Sequence, residues 1–182
     1  MKTLTLLRHA KSSWDDPVMR DFDRPLNGKG RRAARAVGRH MRGLGLHFDH
    51  IVASPAVRVE ETLAEVWSGY GETPEILWDR RVYMASPEAL LELVQETPDA
   101  ADRLLLVGHN PGLEELVLTL VPDRDEDDVR DQVELKYPTA ALAELSLDVA
   151  HWADVTSGGA ILARFVRPRD LDPAFGPDVE AH

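Results

Sequence analysis

Three short apolar runs constrain this chain more than any other feature: residues 2–7, 50–53 and 103–107 are each too short for a helix, and each gives way to a stretch with helical spacing. Such runs, bounded by turn signals, read as strands buried on both faces. After the first, Ala33, Ala34, Val37, Met41 and Leu44 repeat on one helix face; after the second, Val59, Leu63, Val66 and Trp67 do the same. Strand then helix, repeated, predicts an α/β fold with a mostly parallel sheet and helices on both faces. Residues 140–147 and 160–166 read as two more strands, added at an antiparallel edge. Ser54-Pro55, Ser86-Pro87 and Asn110-Pro111 each put a capping side chain before a proline suited to the first helical position. With no internal repeat and no linker, the 182 residues predict a single three-layer domain over 1–167, followed by a poorly ordered tail over 168–182.

The balance of charge narrows the partners. Asp and Glu number 32 against 21 Lys and Arg, a formal net charge of -11, so nonspecific binding to nucleic acid or to an anionic membrane surface would oppose the mean field. There is no cysteine, which excludes disulfides and thiolate metal ligands. The apolar stretch ahead of Arg8 is too short for a signal-peptide core and no run reaches membrane-spanning length, so the expected location is the cytoplasm.

In open α/β sheets, ligands bind beyond the carboxyl ends of the strands. The first strand ends in Arg8 and His9, the second runs through SPAVR to Arg58, and the third ends in VGHNPG with His109. Taken one at a time these groups have plain explanations: a surfacing strand end, an Arg58 ion pair with Glu61 or Glu65, a structural histidine. Together they put a cationic or protonatable group at three corresponding strand ends, which is what a phosphoryl pocket requires. Gly108 and Gly112, with the free N–H groups of the helix starts after Ser54 and Asn110, add room and donors for an anion.

Those residues also carry a resemblance. LLRHA resembles the RHG signature of the histidine phosphatase superfamily, with Ala10 where the signature usually has glycine; SPAVRVEET resembles its SxxxRxxxT segment and LLVGHNPG its second histidine segment. With RHAKSSWDD, DFDRPLNGKG and KYPTAALA, the chain is most similar to small bacterial SixA-like phosphohistidine phosphatases, implying a phosphoglycerate mutase-like fold. The resemblance implies His9 as the nucleophile that forms a phosphohistidine intermediate, Arg8, Arg58 and His109 as ligands of the nonbridging oxygens, and no metal or organic cofactor. Lys11 and Ser12, just after the nucleophile, are further substrate-binding candidates. Neighbouring Arg8 and Arg58 should keep His9 neutral and nucleophilic.

Many phosphomonoesterases of the superfamily carry an acidic proton donor where this chain reads DRRVYMASP, a segment without glutamate or any aspartate after Asp79. Asp15, Asp16, Asp21 and Asp23 are the remaining candidates, with turn and capping roles as the plainer reading. An alkoxide needs a proton to leave, whereas imidazole, whose conjugate acid has a pKa of about 6.5, needs little help. The sequence therefore favours a histidine-phosphorylated protein as substrate over a broad small-molecule phosphomonoester, with a non-catalytic phosphate-binding protein as the third alternative. Arg31, Arg35 and Arg39 form a basic helix stripe read as a solvated face, or as a landing site for an acidic phosphoprotein. His47 and His50 around Asp49 read as a loop entering a strand, and DRDEDD at 123–128 as a solvated acidic run without calcium-loop spacing.

Overall fold

The computed structural model describes residues 1–124 and 127–177. Its centre is a six-stranded sheet: β1 (Lys2–Arg8), β2 (His50–Ala53), β3 (Leu77–Trp78), β4 (Arg103–Gly108), β5 (Leu142–Leu147) and β6 (Ala160–Val166), arranged in the order β3-β2-β4-β1-β5-β6. β2 pairs parallel to β3 and β4, and β1 parallel to β4, whereas β5 runs antiparallel to β1 and β6 antiparallel to β5. The predicted mixed sheet is present, with the antiparallel edge made of two strands. β3, unread in the sequence, is a two-residue edge strand with both side chains exposed, so it leaves no apolar run.

The helices are α1 (Gly28–Gly43), α2 (Val57–Tyr70), α3 (Pro87–Gln95), α4 (Gly112–Leu120), α5 (Asp128–Leu135) and the short α6 (Pro168–Leu171). Alternation along the strands sorts them onto two faces. Leu4, Leu6, Leu104 and Leu106 pack with α3, α4 and α5 on one side, while Leu7, Leu105 and Val107 pack with α1 and α2 on the other. α1 and α2 cross closely: a Cβ on Gly38 would lie 1.9 Å from the Val66 carbonyl oxygen, and one on Gly69 2.2 Å from that of Arg35. The contact is backbone on backbone.

Of the three predicted Ser/Asn-Pro helix starts Ser86 sits directly before its helix as expected, its side chain accepting from the Ala89 amide with Pro87 in the first turn. α2 begins later, after Ala56, and α4 after Pro111; Ser54 Oγ accepts from the Ala56 amide just ahead of α2 and approaches His109, and Asn110 Oδ1 accepts from the Glu114 amide in the first turn of α4 while its Nδ2 donates to the Tyr137 carbonyl. The basic stripe is partly covered: Arg31 pairs with Glu61 and Arg35 with Glu65 across the α1–α2 contact. Asp49 accepts from the Asp102 and Arg103 amides and His47 approaches the Tyr70 hydroxyl, so these side chains brace the entry to β2 and β4. Asp127 caps α5, whereas residues 125 and 126 of the acidic run lie outside the described residues.

The segment expected as a poorly ordered tail differs from that expectation over 168–177. Pro168 opens α6, the Asp170 carboxylate accepts from the Arg167 amide and guanidinium, and a 3-10 turn covers Pro173–Phe175. Lys29 on α1 donates to the Gly176 carbonyl and Leu171 packs against the α1–α2 core. Proline and aspartate here act as helix-start residues, the role they also have in folded chains. Residues 178–182 lie outside the described residues.

Candidate active site

Parallel pairing aligns the carboxyl ends of β1, β2 and β4 at one edge of the sheet, with Arg8 beside Gly108 and Ala53 beside Val107. The next residue of each strand continues the ladder: the His9 amide donates to the Gly108 carbonyl and the Ser54 amide to the Val107 carbonyl. His9, Ser54 and His109 thus leave the sheet side by side. The antiparallel half contributes backbone, with the Ala140 amide donating to the His9 carbonyl and the Arg8 amide to that of Ala141.

The His9 and His109 rings lie 5.3 Å apart, centroid to centroid. His9 Nδ1 is 2.7 Å from the Ala10 carbonyl oxygen, which can only accept, so Nδ1 carries the proton and Nε2 keeps its lone pair. Burial holds the His9 imidazole down at about 3, against the pull of the Ala10 carbonyl, with Arg8, His109 and Arg58 lowering it further. His109 is also held at about 3, chiefly by burial and by Arg58. Arg58 donates from Nη2 to His109 Nδ1 at 3.3 Å, so His109 Nε2 carries the hydrogen and donates to Ser54 Oγ at 2.8 Å.

Arg58, in the first turn of α2, is only 2% exposed. Glu61 and Glu65, the partners of the plainer alternative, are taken by α1; the acid that holds it is Asp21, whose Oδ2 accepts from Nη2 at 2.9 Å and whose backbone carbonyl accepts from Nη1 at 2.7 Å. Asp21 also accepts from the Tyr83 hydroxyl at 2.6 Å and pairs with buried Arg24. Partial burial would raise its carboxyl, but hydrogen bonds from Tyr83, Arg58 and Arg24 outweigh that and hold it at about 2. Of the four aspartates considered as proton donors, Asp21 is therefore the one that reaches the site, and it sits there ionised.

The Ser-Arg-Thr segment is fully used. Ser54 accepts from His109 Nε2, Arg58 sets the His109 tautomer by donating to its Nδ1, and Thr62 accepts from the Ala10 amide while donating back to the Arg58 carbonyl. Ala10 is fully buried in the α1–α2 core, and its φ does not call for glycine. Arg8 donates from Nη1 to the Tyr137 carbonyl; the Nε atoms of Arg8 and Arg58 are buried without a hydrogen-bond partner in the protein. Ser12 accepts from Arg24 and so belongs to the Arg24–Asp21 support, with Trp14 stacked under the same guanidinium. Lys11 is exposed and lines a cavity beyond Arg8.

Three participants escaped the sequence reading or had another role in it: Asp21 as the clamp on Arg58, Tyr83 as its hydroxyl partner, and Glu114, whose carboxyl burial raises and whose charge is felt by Arg8. Only Glu114, one turn beyond the second histidine, had a positional signal. Chemically the arrangement offers a neutral imidazole with a free Nε2, two guanidiniums and a second imidazole around one small space. That set suits a phosphoryl group: a nucleophile for phosphorus and cations for its oxygens.

The comparisons agree with the geometry. The family model of the histidine phosphatase superfamily (branch 1) matches residues 4–82, from β1 to the turn after β3. An uncharacterised Mycobacterium tuberculosis protein, MT1313, is 34% identical over 164 residues, covering 90% of this chain and all of its own. Among solved structures, a candidate phosphohistidine phosphatase named SixA from Nakamurella multipartitia superposes with a TM-score of 0.79 at 30% identity, over 92% of this chain and 96% of that one. Its counterpart from Agrobacterium tumefaciens gives 0.76 at 28% identity, over 92% and 98%. With matching motifs, near-complete coverage and the two histidines side by side, the chain belongs to the histidine phosphatase superfamily, branch 1, a family of phosphatase hydrolases.

Proposed function

We propose that the chain is a phosphohistidine phosphatase that acts through a phosphorylated His9. The observation that carries the reading is the Nδ1 bond of His9 to the Ala10 carbonyl, which leaves Nε2 unprotonated beside Arg8, Arg58 and His109. Nε2 attacks phosphorus, the P–N bond to the substrate imidazole breaks, and that imidazole leaves with the electron pair and takes a proton from solvent. Water then attacks the phosphoryl group, the Nε2–P bond breaks, and inorganic phosphate leaves. Arg8, Arg58 and His109 hold the nonbridging oxygens throughout, and an arriving dianion favours protonation of His109, which its surroundings disfavour beforehand.

Choice of substrate rests on proton supply. Asp21, the aspartate nearest to this chemistry, is ionised and committed to Arg58, which favours a leaving group that needs no acid. One observation favours a second reading as a small-molecule phosphomonoesterase: Glu114, in the first turn of α4, is a carboxyl that burial raises against the lowering pull of Arg8. The reading includes a cytoplasmic location and no metal or organic cofactor; among the described residues no helix is long and apolar enough to cross a membrane.

The test offers the protein a phosphohistidine protein, a phosphoserine peptide and an aryl phosphate, and traps acid-labile phosphate on the chain. Phosphohistidine is expected to turn over fastest, with label on His9 and none in His9→Ala. Fast turnover of phosphoserine that Glu114→Gln abolishes would establish the second reading instead. Saturable phosphate binding without turnover would leave a binding protein.

A further inference from the structure

Among the described residues two other than glycine have a positive φ, and both lie at the proposed phosphoryl site. Ala140, at 59°, donates its amide to the His9 carbonyl and so helps fix the backbone of the nucleophile. Met84, at 51°, puts its sulfur 3.9 Å from Arg58 Nη2, the atom that also faces Asp21 Oδ2 and His109 Nδ1. The guanidinium is buried there, whereas Met84 is 54% exposed. A side chain in this backbone region costs free energy and persists only where its surroundings hold it.

The surroundings do hold it. The Tyr83 amide donates to the Arg80 carbonyl and the Ala85 amide to that of Val82. On either side of Met84 the turn is pressed onto the two glycines that flank His109: a Cβ on Gly108 would lie 2.9 Å from Val82 Cγ1, and one on Gly112 would run into the Ala85 carbonyl. The Tyr83 ring stands edge-on to His109, centroids 5.3 Å apart. Met84 is therefore presented by a clamped turn.

We infer that Met84 is the leaving-group contact of this site, its thioether packing on the imidazole ring of the phosphohistidine and selecting a flat aromatic leaving group over one without a ring. The inference rests on the proposed function and adds a residue that determines its specificity. In-line transfer expels the leaving group away from His9 Nε2. From buried His9 the contacts run to buried His109, then to buried Arg58, then to exposed Met84, so the ring attached to a phosphoryl group held by Arg58 meets Met84 on its way to solvent. Thioethers are adaptable and attract aromatic rings. Trp14, another large exposed side chain near the site, is farther removed, reaching Arg58 only through Arg24 and Asp21.

The experiment compares wild type, Met84→Gly and Met84→Leu on phosphoimidazole and on phosphoramidate. Both substrates carry a P–N bond and only the first has a ring. The readout is the ratio of kcat/KM for phosphoimidazole to that for phosphoramidate, in which any effect on Arg58 common to both cancels. Met84→Gly should lower the ratio about fivefold, while its melting temperature holds or rises, because glycine accepts the positive φ. Met84→Leu, which keeps an apolar side chain of similar size, should hold the ratio within about twofold of wild type. An unchanged ratio in Met84→Gly overturns the inference and leaves the proposed function standing. A loss in Met84→Leu as large as in Met84→Gly also overturns it, since packing on a ring does not require the native side chain. Failure of wild type to turn over phosphoimidazole removes both the proposed function and the inference.

Discussion

At the scale of single residues, the site depends on atoms that are held before substrate arrives. His9→Ala should abolish phosphoryl turnover while the fold persists, checked by release of phosphate and by circular dichroism. Asp21→Asn keeps the shape of the clamp but removes its charge, so Arg58 loses an ionic partner at 2.9 Å. A small displacement of that guanidinium is enough to lower kcat by up to about a hundredfold, and steady-state kinetics on an aryl phosphate would register it. The gathering of Arg8, His9, Arg58 and His109 at one end of the sheet was legible in the sequence because each lies at or shortly beyond a strand end. Asp21 and Tyr83 were not. They reach Arg58 from separate loops, across 37 and 25 positions of sequence, and no periodicity reports which loop folds over a given side chain. Ser12 had the right address after the nucleophile, but its hydroxyl accepts from Arg24.

At the scale of elements, the placement of Arg58 depends on how tightly α2 sits on α1. Gly38→Ala would push a methyl into the Val66 carbonyl at 1.9 Å, and backbone cannot rotate aside. Overpacking of this kind costs about 1–3 kcal/mol, and a backbone contact belongs at the upper end. The melting temperature should fall by roughly 6–10 °C for a chain of this size. Gly43→Ala, on the same helix with nothing within 4 Å, should instead be neutral or raise it slightly. Helices and long strands were readable from the spacing of Val37, Met41, Leu63 and Val66. Helix starts were less so, because Ser54 and Asn110 stand one residue or more ahead of where α2 and α4 begin and divide their side chains between a local amide and a distant partner, His109 or the Tyr137 carbonyl. β3 was invisible because Leu77 and Trp78 are exposed.

At the scale of the whole molecule, the two neutral histidines couple the site to acid stability. Folded, His9 and His109 protonate at about 3; unfolded, at about 6.5. Between those values the unfolded chain binds more protons, so stability falls as pH drops from about 6.5 toward 3. Asp21 adds a separate loss lower down, below about 3.9, as its native carboxylate is finally protonated near 2. His109→Asn should remove about half of the dependence of melting temperature on pH between about 6.5 and 4, His9 supplying the rest, and leave the lower limb. The two buried Nε groups of Arg8 and Arg58 have a further thermodynamic consequence. On the proposed function, a tetrahedral oxyanion that reaches them would bind the native chain and not the unfolded one, which would make orthophosphate both end-product and folding ligand. At a hundred times its dissociation constant it would add about 2.7 kcal/mol, enough for thermal-shift titration to follow product inhibition without any assay of turnover.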